Sequence, residues 1–274
     1  MERLPRAGDG GLIFGFDAIV LAGGRASRLG GHPKPQLTYR GATLLDHALD
    51  AVDGARLTVV VGPGPGEPGG PDVPVEGRAT PVIPGAVPRP SRHVLYTREV
   101  PLYAGPLAAL GAGVAALGSP SGQDAVHDVG QSSGHDAEVA PDWIVVVAAD
   151  LPRAPDAVAA LLGRARDAAT PDPVRPERSL GGVVGEDGEG RIQPLLAVYR
   201  REALTAALSQ LSTDGGLADR PMRHLIARLD LLPLKLPPGV SDDVDTWDAA
   251  RRWGIERPGT ERVPGAAPRQ EEAP

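Results

Sequence analysis

The chain contains no cysteine. That excludes disulfide bridges, thiolate metal ligands and a cysteine nucleophile. It also fits a reducing cytoplasm, which is the location expected. Long apolar runs are missing too. No stretch approaches the roughly 18 uninterrupted apolar residues of a membrane-crossing helix, so no membrane association is expected. The opening MERLPRAGDGGLIFGF has neither an extended apolar centre nor an Ala-x-Ala cleavage pattern, so no signal peptide is expected. An excess of positive charge is absent as well. Lysine and arginine number 28 against 35 aspartates and glutamates, a net charge of −7. A chain so charged has no general attraction to nucleic acid or to an anionic membrane.

Several catalytic signatures are also lacking. The Gly-x-x-x-x-Gly-Lys-Ser/Thr phosphate loop, the Gly-x-Gly-x-x-Gly dinucleotide fingerprint and zinc-ligand spacings do not occur. No Ser/His/Asp triad can be read from spacing. His47 and His224 fall within helical patterns, and His127 and His135 fall in a polar stretch where solvated histidines are the commoner case.

What is present is a 274-residue chain rich in glycine (36) and proline (30), about twice the usual share. Its length suits one large domain or two small ones. Short apolar, non-alternating runs predict buried strands: DAIVLA from Asp17, LTVVVG from Leu57, HVLYT from His93, WIVVVAAD from Trp143, LGGVVG, PLLAVYR and LLPLKL. Between them, helical spacing is predicted from Thr43 (its N-cap), in GPLAALGAGVAAL from Gly105, from Asp156, from Arg201, in MRHLIARL and in DTWDAARRWG. Alternating strands and helices predict a mostly parallel, Rossmann-like α/β sheet with helices on both faces, a three-layer α/β/α fold. Residues 62–92 and 118–142 read as long flexible loops. The expected organisation is a disordered segment 1–16, one domain 17–253 and a disordered tail 254–274.

Ligands of such sheets sit beyond the carboxyl ends of the strands. The first strand runs directly into LAGGRASRLGGHPK. Glycines 23, 24, 30 and 31 let bare backbone N–H groups approach an anion, and Arg25, Arg28 and Lys34 add positive charge suited to a triphosphate. Residue types alone leave open a plain flexible basic loop. Asp150 ends the strongest strand and suits magnesium, or it caps the next helix. Asp242, Asp243 and Asp245 precede the last helix, as caps or as a second metal carboxylate. Gly105 with Pro106 opens a helix and offers either amides to a ligand or simple punctuation. Gln193 is a structural hydrogen bonder or a site residue.

Five segments occur in an order that resembles the MobA-like NTP transferases: LAGGRASRLGGHPK, AGPLAAL, AADLP, QPLLAVYR and DVDTWDAA. The resemblance spans about residues 17–253. It implies a fold of the nucleotide-diphospho-sugar transferase type and a magnesium-dependent nucleotidyltransferase. The best-known members join GMP from GTP to the phosphate of molybdopterin and release pyrophosphate, and relatives transfer CMP or build sugar nucleotides. On this resemblance GTP and a molybdopterin-type acceptor are the expected substrates, with another nucleotide such as CTP, another acceptor, or a non-catalytic relative as alternatives. Leu21, Ala22, Gly23 and Gly24 would contact base and phosphates, with Glu99, Gly105, Pro106 and Leu107 also at the nucleotide. Arg28 and Lys34 would hold the triphosphate. Asp150 would bind magnesium, helped by Asp243 or Asp245, and Gln193 and Pro194 would face the acceptor. The chain departs from the family pattern at Pro33, where guanylyltransferases usually carry aspartate, and at Trp247 and Ala249–Ala250 in the last motif.

Overall fold

The computed structural model describes residues 14–24, 29–71, 93–119, 140–169 and 180–255. Seven strands form one sheet: β1 (Phe16–Leu21), β4 (Thr58–Val61), β5 (Val94–Thr97), β6 (Trp143–Ala148), β7 (Gly182–Glu186), β8 (Ile192–Arg200) and β9 (Leu231–Lys235). Their spatial order is β5-β4-β1-β6-β8-β7-β9. β2 (Thr38–Tyr39) and β3 (Ala42–Thr43) make a separate small hairpin. The strands β1, β4, β5 and β6 run parallel, and only β8 is reversed, pairing antiparallel with both β6 and β7. The mostly parallel sheet expected from the sequence is present.

Successive strand residues point to opposite faces, and each face is covered. On one side Val20, Val60, Val145 and Val147 meet Leu45 and Leu49 of α1 (Leu44–Ala51) and Val158 and Leu161 of α3 (Ala154–Ala169). On the other, Ile19, Val59 and Val146 meet Leu107 and Leu110 of α2 (Pro106–Leu117) and Leu204 and Leu208 of α4 (Arg201–Thr213). Each fully buried leucine contributes about 1.5–3 kcal/mol by leaving water. All six β1 residues are buried, which explains why that strand reads as a continuous apolar run.

Local chemistry sets the element ends. Thr43 caps α1 through a reciprocal capping box with Asp46: its hydroxyl accepts from the Asp46 N–H, and the Asp46 carboxylate accepts from the Thr43 N–H at 2.9 Å. Pro106 opens α2 after Gly105, whose φ of 90° ends the preceding loop. Asp17, fully buried at the amino end of β1, accepts from Arg56 Nε (3.0 Å) and Nη2 (2.7 Å) and pairs with Arg201 of α4.

Three expectations need adjustment. The segment expected to be disordered to residue 16 contributes Phe16 to β1, and Phe14 packs on Trp143 with ring centroids 5.5 Å apart. At the other end Ile255 is buried and donates to the Ala250 carbonyl; apolar contact, not period, orders both ends. Residues 62–71 of the expected flexible loop fold into turns, with Glu67 N–H donating to Gly64 O at 3.1 Å and Gly70 N–H to Glu67 O at 2.9 Å. Residues 1–13, 25–28, 72–92, 120–139, 170–179 and 256–274, with His127 and His135, lie outside the described residues.

Candidate active site

A cleft of about 820 Å³ opens at the carboxyl ends of β1, β4 and β5. Its floor is backbone. Ala22 N–H donates to Val61 O and Gly62 N–H to Thr97 O, each at 2.9 Å, so the ladder continues one residue past the strand ends. Gly62 sits so close to Ala22 that a Cβ there would stand 2.9 Å from the Ala22 carbonyl carbon. Ala22, Gly23 and Gly24 line one wall, and the turn 62–69 lines another. Of the loop glycines, Gly30 (φ 65°) and Gly31 (φ 85°) adopt the left-handed region in open space, and Gly24 has φ 144°. Gly23 does not share that conformation. Arg25 and Arg28 lie outside the described residues.

Lys34 begins a single 3-10 turn, Lys34–Gln36, directly after Pro33, and both residues line the cleft. Its ammonium donates to Asp150 Oδ2 at 3.2 Å and to Asp245 Oδ1. Asp150 comes from the turn after β6 and Asp245 from the segment that follows α5 (Arg223–Ile226) and β9 and leads into α6 (Trp247–Arg252). These residues are far apart in sequence, and packing brings them together. A third apolar cluster joins Leu29, Leu37, Tyr39 and Leu44 to Val244, Ala250 and Ile255, with Trp247 against it. The Val244 N–H donates to the Asp150 carbonyl at 3.1 Å. Trp247, the departure noted above, meets the His32 ring edge-on at 5.6 Å and so ties the glycine loop to α6.

Asp150, Asp243 and Asp245 each bring one carboxylate oxygen within 4.8 Å of the other two. Burial raises the Asp150 pKa above 3.8, partly offset by the Lys34 charge. Burial also raises that of Asp243, and the nearby charges of Asp245 and Asp150 raise it further. For Lys34 burial works against the charged form, but hydrogen bonds and attraction from Asp245 and Asp150 outweigh it, and its pKa rises. Three hard oxygen donors at this spacing suit a small divalent cation. Thr246, not an aspartate, caps α6: its hydroxyl accepts from Ala249 N–H at 3.1 Å. The capping alternative for Asp243 and Asp245 therefore gives way; Asp245 lines the cleft and pairs with Lys34.

The other expected residues are placed as follows. Glu99 is buried on the cleft wall, where its Oε1 accepts from Tyr103 N–H at 2.9 Å and fixes the loop after β5. Leu21 and Leu107 are core residues, their side chains in the α2-side cluster. Gly105 and Pro106 are not on the cleft wall. Gln193 and Pro194 lie in the first residues of reversed β8, Gln193 opposite Gly185 of β7. That puts them at the same sheet edge as Asp150. The Gln193 amide donates to Asp187 at 3.0 Å, and Pro194 accepts from the buried Tyr199 hydroxyl at 2.8 Å. The wall residues Arg98, Tyr103 and Glu67 were not anticipated; Arg98 pairs with Glu67 at 3.0 Å. The available signal was position, because all follow β4 or β5 directly.

A search of curated proteins found no match. Among solved structures, the molybdopterin-guanine dinucleotide biosynthesis protein A of Archaeoglobus fulgidus aligns at 17% identity and TM-score 0.50, covering 86% of this chain and 96% of that one. The UDP-glucose pyrophosphorylase of Acinetobacter baumanii aligns at 10% identity and TM-score 0.54 (87% and 92%). The 2-C-methyl-D-erythritol 4-phosphate cytidylyltransferase of Thermus thermophilus aligns at 15% identity and TM-score 0.48 (88% and 100%). These likenesses concern the fold. The family model for the MobA-like NTP transferase domain matches residues 18–232, which takes in the glycine loop and Asp150 but ends before Asp243 and Asp245, and the chain is accordingly a nucleotidyltransferase of the MobA-like NTP transferase family.

Proposed function

We propose that the protein transfers a nucleoside monophosphate from an NTP to a small phosphorylated acceptor with magnesium, most specifically GMP from GTP to a molybdopterin-type acceptor, releasing pyrophosphate. The observation that carries this reading is the convergence of Lys34, Asp150, Asp243 and Asp245 at the edge of a glycine-floored cleft. The guanylyl and molybdopterin assignment rests on the resemblance of the five ordered segments.

The triphosphate lies along the backbone of Gly23, Gly24 and Gly31, where absent side chains let N–H groups reach phosphate oxygens. Lys34 exchanges its carboxylate partners for the triphosphate and holds charge that grows as the leaving group departs. An acceptor phosphate oxygen attacks the α-phosphorus; the new P–O bond forms as the bond from the α-phosphorus to the bridging oxygen breaks, and that electron pair leaves with pyrophosphate. Asp150, Asp243 and Asp245 are the residues that would hold magnesium, which supplies neutralisation of the phosphate charge. Glu99 steadies the loop that forms the far wall. Gln193 and Pro194 face the acceptor from the same sheet edge. Positioning supplies most of the acceleration, since little covalent work falls to the protein.

Pro33 on the cleft wall, in place of the usual aspartate, favours a second reading in which another nucleotide such as CTP is used. Pyrophosphate release measured with each of the four NTPs, magnesium and molybdopterin separates them. Release with GTP alone supports the first reading, and release with CTP alone supports the second. Release with none, under conditions where the nucleotides bind, refutes molybdopterin as acceptor.

A further inference from the structure

A second cleft, of about 650 Å³, lies between the β2–β3 turn, α1, the start of α3 and the end of α6, and shares no wall residue with the first. Its size is that of a small-molecule site. Tyr39 forms part of its wall and is only 7% exposed. The ring is fixed on several sides. His47 lies 5.4 Å away with its Nε2–H donating to the Tyr39 carbonyl at 2.9 Å, and Trp253 meets the ring edge-on at 5.6 Å.

Two guanidiniums accompany it. Arg40 stands over the Tyr39 ring at 5.0 Å from the centroid, and Arg252 closes the end of α6; neither has a carboxylate partner among the described residues. Arg153, by contrast, is engaged by Asp156 at 2.8 Å. Arg40 (φ 49°) and Gly41 (φ 84°) form the two-residue turn of the β2–β3 hairpin, which sets Arg40 on the cleft wall. Two arginines without a carboxylate partner among the described residues thus share one cleft wall with the Tyr39 phenol. Asp242 at the rim is the one acidic wall residue besides Asp156.

We propose that this cleft binds a phosphate monoester, with the Arg40 and Arg252 guanidiniums and the Tyr39 hydroxyl donating to its oxygens. Arginine suits phosphate because its planar fork gives paired hydrogen bonds. Asp242 accepts from hydroxyl or amine groups on the body of the ligand. The site is separate from the nucleotide cleft and stands whether or not the nucleotide assignment holds.

The test is calorimetric titration of the full chain with glycerol 3-phosphate at millimolar concentration, with inorganic phosphate and glycerol as separate arms. The wild type should bind glycerol 3-phosphate, and Lys34→Ala should bind it equally. Tyr39→Phe, which keeps the ring packing, should bind roughly tenfold more weakly. The double variant Arg40→Gln with Arg252→Gln, at two exposed positions, should lose binding while melting as the wild type does. Inorganic phosphate should bind more weakly and glycerol not at all. The proposal is overturned if the wild type gives no heat, if the double variant or Tyr39→Phe binds as the wild type does, or if Lys34→Ala abolishes binding that the double variant retains.

Discussion

Asp150 carries opposing demands. Its carboxylate faces Lys34 and, with Asp243 and Asp245, forms the oxygen cluster, yet burial holds its pKa above the usual 3.8. Folding therefore disfavours the very charge that the chemistry needs. Asp150→Asn should reduce turnover at least about a hundredfold. It should leave the melting temperature unchanged or higher, because Lys34 keeps Asp245. Unchanged turnover would remove Asp150 from the mechanism. The same burial sets a pH dependence. Since the folded pKa values of Asp150 and Asp243 lie above 3.8, the metal-free fold binds protons more tightly than the unfolded chain. The stability these groups contribute is present in full below that value and is lost as pH rises through their raised values. A cation needs both groups deprotonated. The rise in melting temperature caused by magnesium should thus grow with pH and vanish on acidification, starting to fall above 3.8. A rise independent of pH across the carboxylate range would contradict this account.

At the scale of elements, the sequence was readable where local physics decides. The apolar runs of β1 and β6 mark buried parallel strands, and Thr43 with Asp46 spells out the capping box of α1. Asp150 was legible as a candidate because it directly follows a strong strand. The pairing of Lys34 with Asp245, across 211 positions, was not, because a third apolar cluster creates it and no local pattern records that cluster. The β2–β3 hairpin escaped notice because two-residue strands have no period. The direction of β8 escaped because an apolar run reads alike either way. Asp17 was read only as part of an apolar strand, though it is the charge that joins β1 to Arg56 and to Arg201 at the start of α4. Asp17→Asn should lower unfolding stability by about 3 kcal/mol, since two arginines lose their shared buried partner. Urea denaturation measures this. Turnover of the folded variant should persist, because Asp17 lies at the amino end of β1 and the cleft at the carboxyl end. A stability change near zero would mean that solvent already screens this network.

At the scale of the whole molecule, one end of the sheet gathers the glycine-floored cleft and the carboxylate cluster that we propose hold nucleotide and cation. Parallel β1, β4 and β5 supply the backbone floor, and β6 supplies Asp150. Reversed β8 returns Gln193 and Pro194 to that end, and α6 closes the circuit with Asp243 and Asp245. Among the described residues no helix is long and apolar enough to cross a membrane. The most direct measurement is a thermal-shift panel of GTP, CTP, ATP and UTP, each with and without magnesium. A ligand bound only by the folded state stabilises it, by about 2.7 kcal/mol at a hundred times its dissociation constant. The account predicts a rise in melting temperature with GTP that requires magnesium and is lost in Asp150→Asn. No rise with any of the four nucleotides would contradict it.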